Sequence, residues 1–261
     1  MNGPSSSTYD PGFFERLRAA EERHFWFLSR NRLIARLAEQ LVSGLPPGYR
    51  VLEVGCGNGN VLRSLQPACA RGMLIGMDFY GEGLRMAHRR VACPLVRGDL
   101  DRPPFDRAFH LVGMFDVLEH FPDDRGVLRQ VAGLLVPGGR LLLTVPAHPW
   151  LWSYADAAAG HHRRYTESSL RETIAGAGLR AEFVSPFMSA TLPLLWFWRR
   201  LGGWRRTRSA AAETEREFRV LPVVNELLGL VTRWEPRRIA ARRRVPFGSS
   251  LVAIASVPEQ A

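Results

Sequence analysis

The pattern of apolar and polar positions along the chain predicts an α/β fold. Short apolar runs typical of buried strands cover 50–54, 73–78, 94–97, 109–115 and 140–145, and stretches with helical spacing cover 61–69, 82–90 and 124–135. Strands that alternate with helices form a parallel sheet with helices on both of its faces. Such sheets bind their ligands outside the carboxyl ends of the strands, so we expect a site at that edge.

Further elements are predicted on both sides of this region. Helices are predicted over 13–20, 30–42, 166–177 and 221–234, and strands over 180–184 and 249–257. We therefore divide the chain into an N-terminal tail and helical lid over 1–48 and a core over 49–257. An aromatic and arginine-rich insertion over 186–247 separates the last two strands, and a connection of that length should contain helices of its own.

Composition supports a folded protein of a reducing compartment. The chain has 261 residues, of which 46% are hydrophobic, and this content is enough for a large core. Residues 1–12 contain no apolar stretch of the secretory kind. The three cysteines are odd in number and lack the spacing of metal ligands. We expect a cytoplasmic location, with contact at the inner face of the membrane as an open alternative.

Basic charge is concentrated late in the chain. The sequence contains no lysine, and 199–244 hold 13 arginines and 5 glutamates, a net charge of +8 (13 − 5) out of +10 for the whole chain. This local surface favours an anionic substrate group or an acidic membrane face. It argues against a nucleic acid that is gripped across the core.

The insertion begins with an uncharged stretch over 183–198 that ends in Trp196, Phe197 and Trp198 and is followed at once by arginines. Its length falls short of the ~20 residues that span a bilayer. Tryptophan beside arginine is typical of an interfacial membrane anchor. Packing of these rings on the core or over the substrate pocket is the alternative, and both remain open at this point.

The stretch richest in chemistry follows the first strand, where Glu53 precedes the alternate glycines Gly55, Gly57 and Gly59. Glycines let a ligand approach bare backbone, and N–H groups at the start of the next helix can face it. Asn60 stands where the dinucleotide fingerprint G-x-G-x-x-G has its last glycine, which disfavours a nicotinamide enzyme. The carboxylate of Glu53 can accept from a cationic amino group, so a zwitterionic nucleoside fits better.

Together with later motifs, this loop resembles the class I S-adenosylmethionine-dependent methyltransferases. The matching segments are E-x-G-x-G-x-G at 53–59, LIGMD at 74–78, GDL at 98–100, FHLVGMFDVLEH at 109–120 and LVPGGR at 135–140. The resemblance implies a Rossmann-like seven-stranded sheet flanked by helices, with S-adenosylmethionine as cofactor. To this fold the chain adds N-terminal helices and the helical insertion between the last two strands, which the family joins as a hairpin. The loop at 118–120 is most similar to small-molecule methyltransferases, including those of quinone biosynthesis.

The resemblance also implies roles for cofactor-binding residues. They are Glu53 for the methionine amino group, Gly55, Gly57 and Gly59 for close backbone approach, Asp78 for the ribose hydroxyls, Phe79 beside the adenine, Asp99 and Leu100 for the adenine edge, and Phe115 for backbone contact with the methionine portion. No residue spacing of the H-x-x-x-H or C-x-x-C kind is present, and we expect no metal.

Candidates for catalysis and substrate binding are histidines and their neighbours near the same edge. His120 and then His148 are the candidate general bases, because an imidazole can accept a proton near neutral pH. The candidate substrate contacts are His161, His162, Arg164 and Tyr165, with Trp26 from the lid. A structural or solvated role for these side chains is the alternative.

The sequence therefore predicts methyl transfer to a small, apolar or lipid-linked acceptor, with oxygen slightly favoured as the acceptor atom. The amino-methylating signature [D/N]-P-P-[Y/F] is absent after the fourth strand. Two other hypotheses remain: an RNA or protein methyltransferase recruited through the basic insertion, and a non-catalytic protein that binds S-adenosylmethionine.

Overall fold

Seven strands form a single sheet in the computed structural model, which describes residues 20–192 and 222–258. The strands are β1 (Arg50–Val54), β2 (Met73–Asp78), β3 (Leu95–Arg97), β4 (Phe109–Phe115), β5 (Leu135–Pro146), β6 (Arg180–Phe187) and β7 (Ser250–Ser256). Their order is β3-β2-β1-β4-β5-β7-β6. Strands β1 to β5 pair in parallel, and β7 runs antiparallel to both β5 and β6. The predicted seven-stranded α/β sheet is confirmed.

Helices cover both faces of this sheet. They are α1 (Phe25–Val42), α2 (Asn60–Ala68), α3 (Gly81–Ala87), α4 (Asp124–Leu134), α5 (Tyr154–Ala158), α6 (Glu167–Gly176), α7 (Pro222–Val231) and α8 (Glu235–Ala240), with short 3-10 turns at Leu118–His120, Pro149–Leu151 and Thr232–Trp234. The described residues include no helix that is both long and apolar enough to cross a membrane.

Two buried clusters fill the space on either side of the sheet. On β1, Val51 belongs to one cluster, whereas Leu52 and Val54 belong to the other, because successive side chains of a strand point to opposite faces. The cluster of Val51 includes the apolar stripe of α1, and the second cluster includes the buried face of α4. Glu53 shares the direction of Val51 and therefore faces α1.

Several element boundaries differ from the prediction, and three of them have an evident structural setting. Helix α1 begins at Phe25 rather than at residue 30, and His24 caps it by accepting from the N–H of Trp26. Strand β5 begins at Leu135, five residues before the predicted start (140 − 135). Strand β6 continues through Pro186 to Phe187, because it lies at the edge of the sheet, where proline is tolerated.

The described part of the insertion packs back onto the core. Buried Glu235 on α8 accepts hydrogen bonds from the backbone N–H groups of Met188 and Ser189 and from the Ser189 hydroxyl. Asn225 on α7 accepts from the N–H of Phe25 at 2.8 Å. The insertion is thereby tied to the end of β6 and to the start of α1. The predicted helix over 13–19 and the aromatic and arginine run from 193 to 221 lie outside the described residues.

Candidate active site

Three glycines at the end of β1 open the site. Gly55, Gly57 and Gly59 have φ angles of 70°, 51° and 80°, in a region that glycine adopts readily and other residues rarely. Gly59 is the N-cap of α2. A Cβ added at Gly57 would meet no atom within 4 Å. The space above this turn is therefore open to a ligand.

Asp78 lies beside this turn because β2 is the neighbour of β1 in the sheet. Its carboxylate accepts from the N–H of Gly57 at 2.7 Å and from the N–H of Tyr80 at 2.8 Å. Burial raises the pKa of Asp78, against the lowering effect of these backbone hydrogen bonds. The next two side chains, Phe79 and Tyr80, expose 47% and 57% of their surface. They offer aromatic faces to a base at this edge.

Glu53 is buried without full hydrogen bonding. It is 2% exposed, and its Oε2 is a buried atom with no hydrogen-bond partner among residues 20–192 and 222–258. Burial raises its pKa well above the ordinary value, and the positive charge of Arg30 opposes this shift. Because buried polar atoms normally have a partner, this oxygen indicates a place for a donor from a ligand. A cationic amino group fits it.

The other predicted cofactor residues line the carboxyl edge in different ways. Asp99 is exposed and accepts from the N–H of Asp101 at 3.0 Å, while Leu100 is buried. The Phe115 ring is buried and occupies the space beside Gly113. The ring of Phe115 is thus part of the core, and contact of its backbone with a ligand stays a prediction.

The sequence did not identify an ion pair between α1 and the end of β4. Asp116 has a φ of 56°, rare for a residue other than glycine, and its Oδ2 lies 3.2 Å from Arg30 Nη1 and accepts from the Thr144 hydroxyl. Arg30 also lies 5.0 Å from the ring of Trp26. Trp26 is half-buried over this guanidinium. The position of Asp116 at a strand end was the one sequence signal available.

Residues that precede α1 contact the glycine turn. Glu21, at 6% exposure, accepts from both Asn58 Nδ2 and Arg90 Nη1, at 3.0 and 2.8 Å. Arg90 also donates to Asn58 Oδ1. The lid remains a prediction, but this buried network joins the N-terminal segment to the cofactor turn.

A second polar cluster follows β4. Glu119 is 0% exposed, and neither of its carboxylate oxygens has a hydrogen-bond partner in the residues that the structure describes. The rings of His120 and His161 are 4.7 Å apart and nearly perpendicular. His161 Nδ1 lies 3.0 Å from Asp156 Oδ1, and its Nε2 lies 3.9 Å from Glu119 Oε1. The structure thus brings together two histidines that the sequence singled out and a glutamate that it did not.

Two of these side chains have strongly shifted pKa values. Part of His120 reaches solvent, but desolvation of the rest of the ring, followed by the neighbouring His161, lowers its pKa to about 4. Desolvation by burial acts to raise the pKa of Asp156. The opposite effect of hydrogen bonds from His161 and Arg164 is larger, and the pKa is lowered to about 2. Near neutral pH, His120 is therefore a neutral imidazole and Asp156 a carboxylate.

The remaining predicted residues separate into two groups. His148 has a φ of 61°, and its Nε2 is buried without a hydrogen-bond partner. Arg164 donates to Asp156 and to the carbonyl of Ala147, and His162 is exposed. Tyr165 is a correction to the prediction: it is 2% exposed and donates its hydroxyl to Asp124 at 2.9 Å. Its side chain is part of the core and cannot contact a substrate without unfolding.

A groove of about 1180 Å³ lies away from this edge. It runs between α1, the last turns of α2, and the segment from α7 to α8. Its lining contains Arg32, Arg36, Arg233, Arg237, Arg238 and Arg243 and one acidic residue, Glu39. This lining makes the groove strongly basic, which distinguishes it from the carboxyl edge of the sheet.

Comparison with known proteins identifies the family. Residues 19–182 match the family model described as a methyltransferase domain, and the chain belongs to that family. Its sheet and its glycine turn are those of the class I S-adenosylmethionine-dependent methyltransferases.

Two relatives and one solved structure illustrate this membership. The chain is 36% identical over 105 residues to the phthiotriol/phenolphthiotriol dimycocerosates methyltransferase 1 of Mycobacterium ulcerans, with 37% of each chain covered. It is 35% identical over 107 residues to the ubiquinone biosynthesis O-methyltransferase of Bordetella bronchiseptica, with 38% of this chain and 44% of the relative covered. The chain solved in complex with the Trm112 methyltransferase activator of Haloferax volcanii shares the fold, with a TM-score of 0.59, 19% identity and 96% of each chain covered. The match thus spans less than half the length of either curated relative.

Proposed function

We propose that this methyltransferase transfers its methyl group to a hydroxyl oxygen of a small, apolar or lipid-linked acceptor. The observation that carries the proposal is the polar cluster after β4, which combines Glu119, His120 and His161 next to the cofactor edge. Relatives support the acceptor class, since their names include a phthiotriol dimycocerosate methyltransferase and a ubiquinone biosynthesis O-methyltransferase.

The cofactor is held by residues of the first two strands and their loops. Glu53 accepts from the methionine amino group, Asp78 from the ribose hydroxyls, and the glycine turn allows close approach of the methionine portion. Phe79 lies against the adenine, with Asp99 and Leu100 at the adenine edge. These roles follow from the unpartnered oxygen of Glu53, the burial of Asp78 and the exposed Phe79 ring.

Methyl transfer is an in-line displacement. A lone pair of the acceptor oxygen forms a bond to the methyl carbon, and the electrons of the broken C–S bond remain on sulfur. The acceptor hydroxyl loses its proton to His120, or to His148 as the second candidate, because a neutral imidazole at this edge can accept it. His161, His162, Arg164 and Trp26 border the acceptor. Alignment of oxygen and methyl group accounts for most of the acceleration, because the leaving group is already a sulfonium.

A lipid-linked acceptor would be reached at an acidic membrane surface. Four apolar side chains on and after α7 are exposed: Leu227, Leu230, Val231 and Trp234. Arg233, Arg237 and Arg238 stand beside them at the basic groove. Apolar side chains next to arginines suit the interface of an anionic bilayer. This arrangement supports the peripheral membrane contact considered from the sequence.

An acceptor screen tests the proposal. The full chain is incubated with S-adenosylmethionine that carries a deuterated methyl group and with hydroxylated quinone and polyprenyl-linked precursors, and products are identified by mass spectrometry. We expect the label on a hydroxyl oxygen of one acceptor class. Labelling of RNA or protein, with none of these small molecules labelled, would refute the proposed acceptor.

A further inference from the structure

The cluster of Glu119, His120 and His161 has the donor set of a metal site. One nitrogen from each histidine and one carboxylate oxygen lie within 4.8 Å of one another. Two imidazoles and a carboxylate are a set that binds divalent zinc, iron, cobalt or manganese. At metal–ligand bonds of about 2.0–2.2 Å, tetrahedral ligands lie roughly 3.3–3.6 Å apart. Side-chain movements of about 1 Å would therefore close this cluster around an ion.

Glu119 supplies the observation that calls for a cation. This residue lies at 0% exposure, and within the described part of the chain both of its oxygens lack a hydrogen-bond partner. A buried carboxylate with no donor is costly, and His161 Nε2 lies 3.9 Å from Oε1. That separation is too long for a hydrogen bond, and it leaves room for an ion between the two atoms.

Asp156 prepares His161 for this role. Its Oδ1 lies 3.0 Å from Nδ1 of His161, so a neutral His161 that donates from Nδ1 directs the bare lone pair of Nε2 at Glu119. A carboxylate that orients a histidine through the second ring nitrogen is the usual outer shell of metal-bound histidines. Arg164 donates to the same oxygen and helps to fix the position of Asp156.

We propose that Glu119, His120 and His161 bind one divalent transition-metal ion that coordinates the acceptor hydroxyl. The exposed side of His120 leaves an open coordination position, as catalytic metal sites require. The metal lowers the pKa of the bound hydroxyl, which releases its proton to water or to His148. The metal-bound oxygen then attacks the methyl carbon while the C–S electron pair stays on sulfur. In this scheme His120 is a metal ligand and not the base. The catalytic role of the metal rests on the proposed function, transfer to a hydroxyl oxygen.

Metal binding can be tested without cofactor or acceptor. The full chain is freed of metal with a chelator and titrated with Co²⁺, whose visible spectrum reports nitrogen ligation, and then with Zn²⁺ by calorimetry. The variants are His161→Gln and Glu119→Gln, with His88→Gln as a matched control at an exposed histidine of α3's end. We expect one ion per chain, at least 10-fold weaker binding in both site variants, and unchanged binding in the control.

Three results would overturn the site: no saturable binding in the wild type, equal binding in His161→Gln, or loss of binding in His88→Gln. If Glu119→Gln does not fold, His161→Gln together with the Co²⁺ spectrum decides. Activity separates this proposal from the acceptor assignment. If the protein binds metal but methylates no hydroxylated acceptor, the metal site is supported and the proposed acceptor is refuted. If protein freed of metal by a chelator methylates oxygen at an undiminished rate, the metal has no part in the reaction.

Discussion

Replacement of Asp78 by asparagine isolates one carboxylate of the cofactor pocket. Asp78 is 8% exposed, and its two oxygens already accept from the N–H groups of Gly57 and Tyr80. Asparagine keeps the shape, but its amide has one acceptor oxygen in place of two and no charge. We therefore expect loss of the charged acceptor for the ribose hydroxyls and mispairing of one backbone N–H.

The size of the effect follows from these contacts. A hydrogen bond to a charged group contributes about 1.5–3 kcal/mol, and an unsatisfied buried donor costs about 1–3 kcal/mol. With one to two ribose hydrogen bonds weakened, binding of S-adenosylmethionine should lose about 2–4 kcal/mol, a rise in Kd of about 30- to 700-fold. The free energy of unfolding should fall by about 1–3 kcal/mol through the mispaired N–H.

Calorimetric titration with S-adenosylmethionine and S-adenosylhomocysteine measures the first quantity, and urea unfolding the second. Asp106→Asn is the matched control, because Asp106 is an exposed aspartate of a loop, and its Kd should equal that of the wild type. A folded Asp78→Asn protein whose Kd stays within threefold of the wild type would refute this assignment of the ribose site.

Three further predictions concern other parts of the structure. Glu53→Gln should weaken cofactor binding by about 10- to 150-fold, since a charged hydrogen bond of about 1.5–3 kcal/mol is lost. Urea unfolding of the cofactor-free variant should show a stability equal to or greater than that of the wild type. A lower stability would contradict the unpartnered oxygen at this position. Tyr165→Phe should lower the free energy of unfolding by about 1 kcal/mol with kcat unchanged, whereas a fall in kcat alone would return Tyr165 to the substrate site. Replacement of both Arg237 and Arg238 by glutamate should weaken the affinity for anionic vesicles, measured by flotation, by roughly 30-fold or more, at about 1 kcal/mol per arginine. Equal flotation of the wild type and this variant would exclude the basic groove as the membrane contact.

Local sequence patterns predicted the sheet because the end of a strand can be recognised from the residues that adjoin it in the sequence. The glycine turn after Val54 and the acid at Asp78 follow apolar runs, and parallel strands bring such ends to one edge. The last strand, β7, was predicted from its apolar composition. The structure shows that it pairs antiparallel with β6, across the insertion.

Residues that depend on distant contacts could not be predicted in this way. Arg30 reaches Asp116 across the interface of α1 and β4, and His161 meets Glu119 and His120 from 41 positions later in the chain (161 − 120). The sequence analysis expected no metal because it found no closely spaced pair of metal-binding residues. A cluster assembled from two loops has no such spacing in the sequence. Tyr165 was assigned wrongly because a loop position does not reveal which side of the backbone faces the core.

A structure of the protein with S-adenosylhomocysteine would test the account most directly. We expect the homocysteine amino group within hydrogen-bonding distance of Glu53 Oε2, the ribose hydroxyls on Asp78, and the sulfur directed toward Glu119, His120 and His161. A cofactor product bound with its amino group away from Glu53, or with its sulfur directed away from that cluster, would contradict both the cofactor assignment and the proposed place of methyl transfer.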